Sequence, residues 1–372
     1  MNKTVLVTGG AGFIGSHIVD MLVEEGYDVR VLDNFDQQVH NGDIPDYLND
    51  EVEYIVADVR NREQVKEALD DVDLVSHQAS AVGVGQSMYK IQHYADANVT
   101  GTATLLNVLV NEDNHNVQKL VLASSFSNYG EGAYRCDDCG RVYPGERSPE
   151  RLENGDWEQI CTSCGKDVDP VPTKEDDPLS TSSIYGETKR SQEEMARIVG
   201  KSHGVDVVAL RYFNVYGPRQ SLDNPYTGVA SIFSSRIKNG NPPLIYEDGE
   251  QSRDFVYVED VARANLLALQ TTVSEDVVNV GTGTPRTVRE LAETLIDAYG
   301  AELEPEVTGE YRQGDIRHCY ADMARAEDAL GYSPEYTFED GIKKLVRWGR
   351  EQEAADRFED AAGELEEEGL VE

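Results

Sequence analysis

The chain begins with a short apolar strand, a glycine-rich loop and an amphipathic helix, a combination that few folds accommodate. The strand is predicted over residues 4–7 and the helix over 16–25, with TGGAGFIG between them. Glycines at positions 9, 12 and 15 allow a pyrophosphate to approach the backbone at the positive end of the helix. Asp33 ends the next predicted strand, where a carboxylate accepts from ribose hydroxyls and repels a 2′-phosphate. These features predict a site for NAD rather than NADP.

Strand and helix signals continue to alternate beyond the loop. Strands are predicted at 28–32, 52–56, 74–76, 119–123 and 205–210, and helices at 64–69, 95–109 and 184–200. Such alternation is typical of an α/β protein with a parallel, doubly wound sheet. We therefore predict a Rossmann-type domain formed by residues 1–131 and 173–213. Residues 214–350, with shorter segments rich in Pro, Gly and Asn, are predicted to form mainly a smaller α/β domain that binds substrate.

Residues 132–172 interrupt this alternation and contain four of the five cysteines. Two CxxCG motifs, Cys136 with Cys139 and Cys161 with Cys164, are separated by 21 residues. Four thiolates in this pattern close a tetrahedral site without a position for water, which predicts a zinc-ribbon-like insertion with structural Zn²⁺. Iron or disulfide bonds are the alternatives. The fifth cysteine, Cys319, is predicted to be a core residue.

The charge of the chain disfavours a nucleic-acid partner. It has 33 basic and 70 acidic residues, a net charge of −37, whereas nucleic-acid binding requires clustered Lys and Arg. Because acidic residues occur in every segment, we predict a halophilic surface, with an ordinary acidic protein as the alternative. Residues 351–372, with ten acidic side chains and one Arg, are expected to form an acidic tail that is mobile or loosely helical and contains no site.

Hydropathy gives no sign of a membrane partner. No apolar run approaches the length of a membrane span, and the first ten residues, MNKTVLVTGG, enter a strand without the apolar region of a signal peptide. We therefore expect a cytoplasmic protein.

A second group of chemically informative residues lies near the middle of the chain. Tyr185 and Lys189 are four residues apart in the predicted helix 184–200 and therefore share one face. We expect the ammonium to lower the phenol pKa from its usual value of about 10, so that the phenolate can accept a hydroxyl proton. Ser125 follows the predicted strand 119–123 at the carboxyl edge of the sheet, where ligands bind in this architecture.

Several further motifs occur in a fixed order along the chain: HQAS, NVTGT, SSFSNYG, YGETK, RYFNVYGPRQ, RDFVYVEDVA, NVGTG and RQGDIRH. With the glycine loop, they make residues 3–350, apart from the cysteine insertion, resemble the extended short-chain dehydrogenases/reductases. The resemblance is to the NAD-dependent nucleotide-sugar epimerases and dehydratases within that family. It implies that Ser125, Tyr185 and Lys189 are catalytic and that a nucleotide-diphosphate sugar is the ligand.

The resemblance also implies binding residues. Tightly bound NAD is expected to contact Tyr185, Lys189 and a set from the first hundred residues: Gly9, Gly12, Phe13, Ile14, Gly15, Asp33, Asn34, Asp58, Val59, Ala79 and Asn98. The nucleotide sugar is expected to contact Ser125 and a set from the second domain: Asn214, Arg253, Arg312 and Asp315. Two arginines suit a diphosphate because guanidinium groups bind phosphate oxygens in pairs.

The implied reaction is 4-epimerisation through transient oxidation at sugar C4. The insertion is similar to that of enzymes assigned as dTDP-L-rhamnose 4-epimerases, with UDP-glucose 4-epimerase and uronate 4-epimerase as alternatives. A 4,6-dehydratase is disfavoured because Phe126 and Ser127 replace the Asp-Glu pair of that group. A non-catalytic nucleotide-sugar sensor is a further alternative. Asn128 departs from the family pattern and is expected to alter the sugar pocket, and a homodimer through helices 95–109 and 184–200 is implied.

Overall fold

The computed structural model describes residues 3–40 and 42–371. Within them the chain forms sixteen strands, in chain order: β1 (Thr4–Thr8), β2 (Asp28–Asp33), β3 (Glu53–Val56), β4 (Leu74–His77), β5 (Lys119–Ser125), β6 (Ala133–Cys136), β7 (Gly140–Val142), β8 (Asp169–Val171), β9 (Asp206–Tyr212), β10 (Asn214–Tyr216), β11 (Leu244–Ile245), β12 (Ser252–Tyr257), β13 (Asp276–Val280), β14 (Pro285–Thr287), β15 (Glu306–Val307) and β16 (His318–Cys319).

The same residues form fourteen α-helices: α1 (Phe13–Glu24), α2 (Gln37–His40), α3 (Arg62–Ala68), α4 (Val84–Ser87), α5 (Ile91–Tyr94), α6 (Gly101–Asn111), α7 (Pro149–Glu153), α8 (Ile184–His203), α9 (Val229–Lys238), α10 (Val258–Gln270), α11 (Val288–Tyr299), α12 (Ala324–Leu330), α13 (Phe338–Glu351) and α14 (Phe358–Glu367). The predicted helix 95–109 is one continuous helical segment, but its first part, Ala95–Thr100, is π-helical and precedes α6. No helix of the described residues is long and apolar enough to cross a membrane.

A seven-stranded parallel sheet, in the order β3-β2-β1-β4-β5-β9-β13, lies at the centre. Apolar residues of α1, α10 and α12 cover one face. Residues of α3, α6 and α8 cover the other. Helices on both faces explain why the strand sequences are apolar without alternation, and they confirm the predicted Rossmann-type α/β fold.

The second part of the molecule forms around β12. This strand pairs with β10, β14 and β16, and it packs with α9, α11 and α13 around a separate core. The structure also shows that residues 214–350 are shared between the two parts. Strand β13 is an edge strand of the central sheet, and α10 packs against α1, so the predicted boundary after residue 213 does not separate the two sheets.

The cysteine insertion folds as a small unit beside the second part. It contains a three-stranded antiparallel sheet, β7-β6-β8, and the short helix α7. Its core contains only five buried residues: Tyr134, Cys136, Val142, Cys161 and Val168. A core of this size requires a covalent or metal cross-link for stability.

The expectation for residues 351–372 is wrong. Instead of a loose tail, α14 packs onto the molecule through Phe358, Ala361 and Leu365, which are all buried. These residues are spaced three and four positions apart, so they form one apolar stripe in an otherwise acidic segment. Counting charges concealed that stripe, whereas helical periodicity would have revealed it.

Candidate active site

A cavity of about 670 Å³ lies at the carboxyl end of the central sheet, between the two parts of the molecule. The glycine loop, the ends of β2 and β5, the start of α8 and the segment 312–316 all contribute to its wall. Parallel sheets bind ligands at this edge because successive strands leave a crevice there.

The glycine loop forms the cavity's cofactor side. Gly9 has a φ of +70°, and a Cβ there would lie 2.7 Å from the Ala79 nitrogen; a Cβ on Gly15 would lie 2.1 Å from the Gly9 oxygen. Gly12, by contrast, would meet only the Gly9 oxygen at 3.4 Å, and no side chain caps the first turn of α1. The helix terminus therefore faces the cavity with room for a pyrophosphate, which fits NAD.

The two predicted acidic residues of the cofactor side have different surroundings. Asp33 is buried at the end of β2, where its carboxylate accepts from the backbone nitrogens of Ala11 (3.0 Å) and Phe35 (2.9 Å). Asp58 instead forms an ion pair with Arg60, and that hydrogen bond lowers the carboxyl pKa. Asp33 thus lies where the sequence predicts a ribose partner, whereas the carboxylate of Asp58 is already paired.

Asn98 is not in the cavity wall, unlike the other predicted cofactor residues. It is fully buried in the π-helical segment, where its oxygen accepts from the Ala81 nitrogen (2.7 Å) and its amide donates to Thr188 Oγ1 (2.9 Å). Its side chain is already occupied by these contacts, so direct contact of Asn98 with NAD stays a prediction. Asn98 connects the cavity loop after β4 to α8.

The three predicted catalytic residues converge at the end of β5. Ser125 is its last residue, and its hydroxyl is near enough to the Tyr185 phenol to influence the phenol pKa. Tyr185 lies in the first turn of α8, which begins there because Ser183 Oγ accepts from the Gly186 nitrogen at 3.1 Å. Lys189 Nζ donates to Ser80 Oγ at 3.4 Å. All three line the cavity, and each is at most 9% exposed.

The expected electrostatic effect within this group is wrong in the ligand-free protein. Burial raises the pKa of Tyr185 to about 12, although the Ser125 hydroxyl opposes the shift. Burial also lowers the pKa of Lys189 to about 7, opposed by the Glu193 charge. Desolvation favours the neutral form of both groups, and the lowering of the phenol pKa by the ammonium that helical spacing predicted is absent.

The predicted substrate residues from the second domain line the same cavity. Arg253, in β12, donates to the Asp315 carboxylate at 3.1 Å and to the Arg317 carbonyl at 3.1 Å. The Arg312 guanidinium stacks on the Tyr246 ring, 4.7 Å from its centroid. Within the described residues, buried Asn214 Oδ1 and Arg312 Nε have no partner, as expected of groups that a ligand completes.

The three residues that follow Ser125 bear on the type of reaction and on the shape of the site. Phe126 stacks on Phe213 with ring centroids 5.4 Å apart, and Ser127 Oγ accepts from Ser125 Oγ at 3.1 Å, so no carboxylate occupies either position. Asn128 does not line the cavity, so any effect on the sugar pocket would pass through its neighbours. It is fully buried and donates to Ser124 Oγ and to Glu193 Oε2 (3.0 and 3.1 Å).

The structure also shows cavity residues that the motifs did not identify. Tyr246 supports Arg312, and α14 contributes Phe358 and Leu365. Glu364 of α14 contacts the hydroxyls of Tyr89 and Tyr226, which attach the helix to the rim. Tyr246 lies outside every quoted motif, whereas the apolar stripe of α14 was visible in the sequence.

The four cysteines of the insertion have the geometry of a metal centre. Their Sγ atoms all lie within 4.8 Å of one another, and Gly140 and Gly165 adopt positive φ after each pair. A tetrahedral Zn²⁺ with bonds of about 2.3 Å places its sulfurs about 3.8 Å apart. The donor set and its spacing therefore fit structural zinc. All five cysteines are free thiols in the structure, and Cys319 is buried as predicted.

Comparison with known proteins identifies the class. A model of the NAD dependent epimerase/dehydratase family matches residues 5–149 and 160–281, so the chain belongs to this family. The predicted family, NAD as its cofactor and an enzyme of the isomerase type are thereby supported.

Individual relatives are named as 4-epimerases of nucleotide sugars. The chain is 35% identical to dTDP-L-rhamnose 4-epimerase of Burkholderia thailandensis over 93% of its length and 94% of that protein. The UDP-glucose 4-epimerase of Thermotoga maritima, solved with UDP-glucose, is 32% identical with a TM-score of 0.77, covering 93% of this chain and 98% of that one. The Thermus thermophilus UDP-glucose 4-epimerase, solved with NAD, is 31% identical with a TM-score of 0.73, covering 94% and 100%.

Proposed function

We propose that this protein is an NAD-dependent nucleotide-sugar 4-epimerase whose substrate is dTDP-L-rhamnose. The observation that carries the proposal is the convergence of Ser125, Tyr185 and Lys189 on one cavity with the glycine loop and the arginine pair. UDP-glucose and UDP-uronates are the alternative substrates. The cysteine insertion favours the rhamnose nucleotide, because it is similar to that of enzymes assigned as dTDP-L-rhamnose 4-epimerases, whereas overall identity to the relatives does not separate the substrates.

The residues divide the chemistry among them. Tyr185 accepts the proton of the sugar 4-hydroxyl, while Ser125 donates a hydrogen bond to the oxygen as it becomes a carbonyl. Bound NAD supplies the acceptor for the C4 hydride and a positive ring charge that favours the phenolate. Lys189 is proposed to hold the nicotinamide ribose. After the sugar turns its other face, Tyr185 returns the proton to the same oxygen and the hydride returns to C4.

The alternatives from other classes have less support. A 4,6-dehydratase requires an acid and a base after the catalytic hydroxyl residue, where Phe126 and Ser127 lie. A non-catalytic sensor does not require Ser125, Tyr185 and Lys189 together. The complete catalytic group therefore favours turnover.

The cysteine insertion is proposed to hold one structural Zn²⁺ through Cys136, Cys139, Cys161 and Cys164. Four thiolates close the coordination sphere, so the ion contributes to folding and not to catalysis. Its five-residue core agrees with a unit that depends on metal.

Assembly and environment complete the proposal. We expect a homodimer through α6 and α8, which pack side by side, with Ile198 56% exposed on the outer surface of α8. The net charge of −37 supports a protein adapted to high salt, because screening relieves the repulsion among its carboxylates.

The experiment that tests this proposal is product identification by NMR. Purified protein in molar KCl receives dTDP-L-rhamnose, UDP-galactose or UDP-glucuronate, each without added NAD, and Tyr185→Phe serves as the inactive control. We expect the 4-epimer of dTDP-L-rhamnose and no net redox change. Conversion of a UDP-sugar alone would reassign the substrate, and no conversion of any of them would contradict the epimerase proposal.

A further inference from the structure

The cysteine insertion makes a buried contact with the segment that carries the predicted diphosphate residues. Arg147 of the insertion forms a two-pronged ion pair with Glu247, with nitrogen to oxygen distances of 2.6 and 2.9 Å. The same guanidinium donates to the Asp315 carbonyl at 3.0 Å and to the Trp157 carbonyl at 3.0 Å. The side chains of Arg147 and Glu247 are 1% and 2% exposed, so this contact is shielded from water.

A second buried arginine joins the same carboxylate, Glu247, to the insertion. Arg317, also 1% exposed, donates to Glu247 at 2.9 Å, to Asp248 at 2.7 and 2.9 Å, and through Nε to Glu158 of the insertion at 2.9 Å. His318 Nε2 lies 3.1 Å from the other oxygen of Glu158. The His318 hydrogen bond and the Arg317 charge lower the pKa of Glu158 to about 2, so the carboxylate is charged at neutral pH.

These contacts reach the cavity wall at two points. Arg147 holds the backbone of Asp315 through its carbonyl. Arg253 in turn donates to the Asp315 carboxylate and to the Arg317 carbonyl. Glu247 follows Tyr246, on which Arg312 stacks, and has a φ of +56°, an unfavourable conformation for a residue with a side chain. Trp157 packs on Tyr311, next to Arg312, with ring centroids 6.1 Å apart. The insertion therefore supports both predicted arginines from outside the cavity.

We propose that Arg147 is a positioning residue that uses the cysteine insertion as a rigid support for the nucleotide-diphosphate site, an inference that rests on the proposed function. Fixed arginines bind a diphosphate more tightly because less ordering remains to be done on binding. The catalytic residues have separate supports, with the Tyr185 nitrogen bonded to Ser87 and Lys189 bonded to Ser80. Loss of the support should therefore weaken nucleotide binding and leave the chemical step unchanged.

The test measures nucleoside-diphosphate affinity directly by titration calorimetry on NAD-loaded protein. dTDP and UDP are titrated into the wild type, Arg147→Met and the control Arg135→Met, which replaces an exposed arginine in β6 of the same insertion. Steady-state kinetics and the content of NAD and zinc are measured on the same samples. Trp157→Leu provides a second variant that leaves the buried charges in place.

We expect Arg147→Met to weaken dTDP binding and to raise KM about tenfold or more, with kcat within twofold of wild type and unchanged NAD and zinc. Trp157→Leu should weaken dTDP binding and raise KM by a smaller factor, and Arg135→Met should change neither the dTDP affinity nor KM. Chelation of the zinc should weaken dTDP binding without release of NAD.

Two outcomes would overturn the inference while the proposed function stands: wild-type affinity in both Arg147→Met and Trp157→Leu, or a fall in kcat at unchanged KM. If Arg147→Met does not fold, Trp157→Leu decides the question. Wild-type affinity of Trp157→Leu for dTDP would then contradict the inference. A wild-type protein that binds neither dTDP nor UDP would overturn the proposed function itself.

Discussion

Buried titratable groups have different surroundings at the two ends of the cavity. At the catalytic end, Tyr185 and Lys189 are buried with few partners, and both pKa values move toward the neutral form. At the nucleotide end, most buried charges are paired, as in the pair of Arg253 with Asp315 and the pair of Arg147 with Glu247, although Arg312 Nε has no partner among the described residues.

This difference determines how each end of the cavity responds to ligand binding. Buried polar groups with few partners destabilise the empty protein, and a ligand that brings charge or hydrogen bonds relieves that cost. Paired groups are already fixed, so they provide a rigid surface for the diphosphate. Changes at the catalytic end should therefore affect kcat and pH dependence, and changes at the nucleotide end should affect KM and stability.

The largest effect is expected from Tyr185→Phe. Because the phenol is the group that accepts the substrate proton, its loss should lower kcat by about 10² to 10⁴-fold with little change in KM or NAD content. Tyr332→Phe, which removes the hydroxyl of a buried tyrosine outside the cavity wall, is the matched control and should keep full activity. Comparable losses in both variants would contradict this separation.

Next in size is the effect of removing the cross-link of the insertion. Cys136→Ser should abolish zinc binding, measured by elemental analysis, and lower Tm by roughly 5 °C or more, because the remaining core is too small to fold alone. Cys319→Ala, at the buried cysteine outside the cluster, should retain the metal. Full zinc content in Cys136→Ser would contradict the proposed site.

A smaller, pH-dependent effect is expected at Lys189. Its folded pKa is about 7 against an ordinary value of 10.5, so between these values the unfolded chain binds more protons than the folded chain. Stability from this residue therefore rises with pH through that window, and the full cost of the buried ammonium applies below pH 7.

Lys189→Met should consequently raise the Tm of NAD-free protein by about 5 °C at pH 6 to 7, and the gain should disappear near pH 10. Thermal unfolding across that range measures it, with exposed Lys201→Met as the control. A pH-independent gain, or a loss of stability, would show that the catalytic end carries no such cost.

The smallest effect is expected from α14. Leu365 is 4% exposed and lines the cavity, so Leu365→Ala should raise KM by about fivefold through lost apolar contact and leave kcat unchanged. Exposed Glu366→Ala is the neighbouring control. Equal kinetics for both variants would indicate that the C-terminal helix takes no part in binding.

Local patterns predicted the cofactor side better than the rest. The glycine loop and Asp33 are separated by a single helix and strand, so their spacing in the sequence indicated their arrangement. By contrast, the contact of Arg147 with Glu247 joins residues 100 positions apart, and no periodicity marks it. The pKa directions of Tyr185 and Lys189 depend on burial by surrounding segments, which helical spacing does not report.

The most direct test of transient oxidation at C4 uses dTDP-L-rhamnose deuterated at C4, incubated with the protein in ordinary water. Because the hydride returns to the carbon it left, we predict that the 4-epimer retains the deuterium and that its mass equals that of the substrate. Loss of the label to solvent, or a product lighter by one water, would contradict the account.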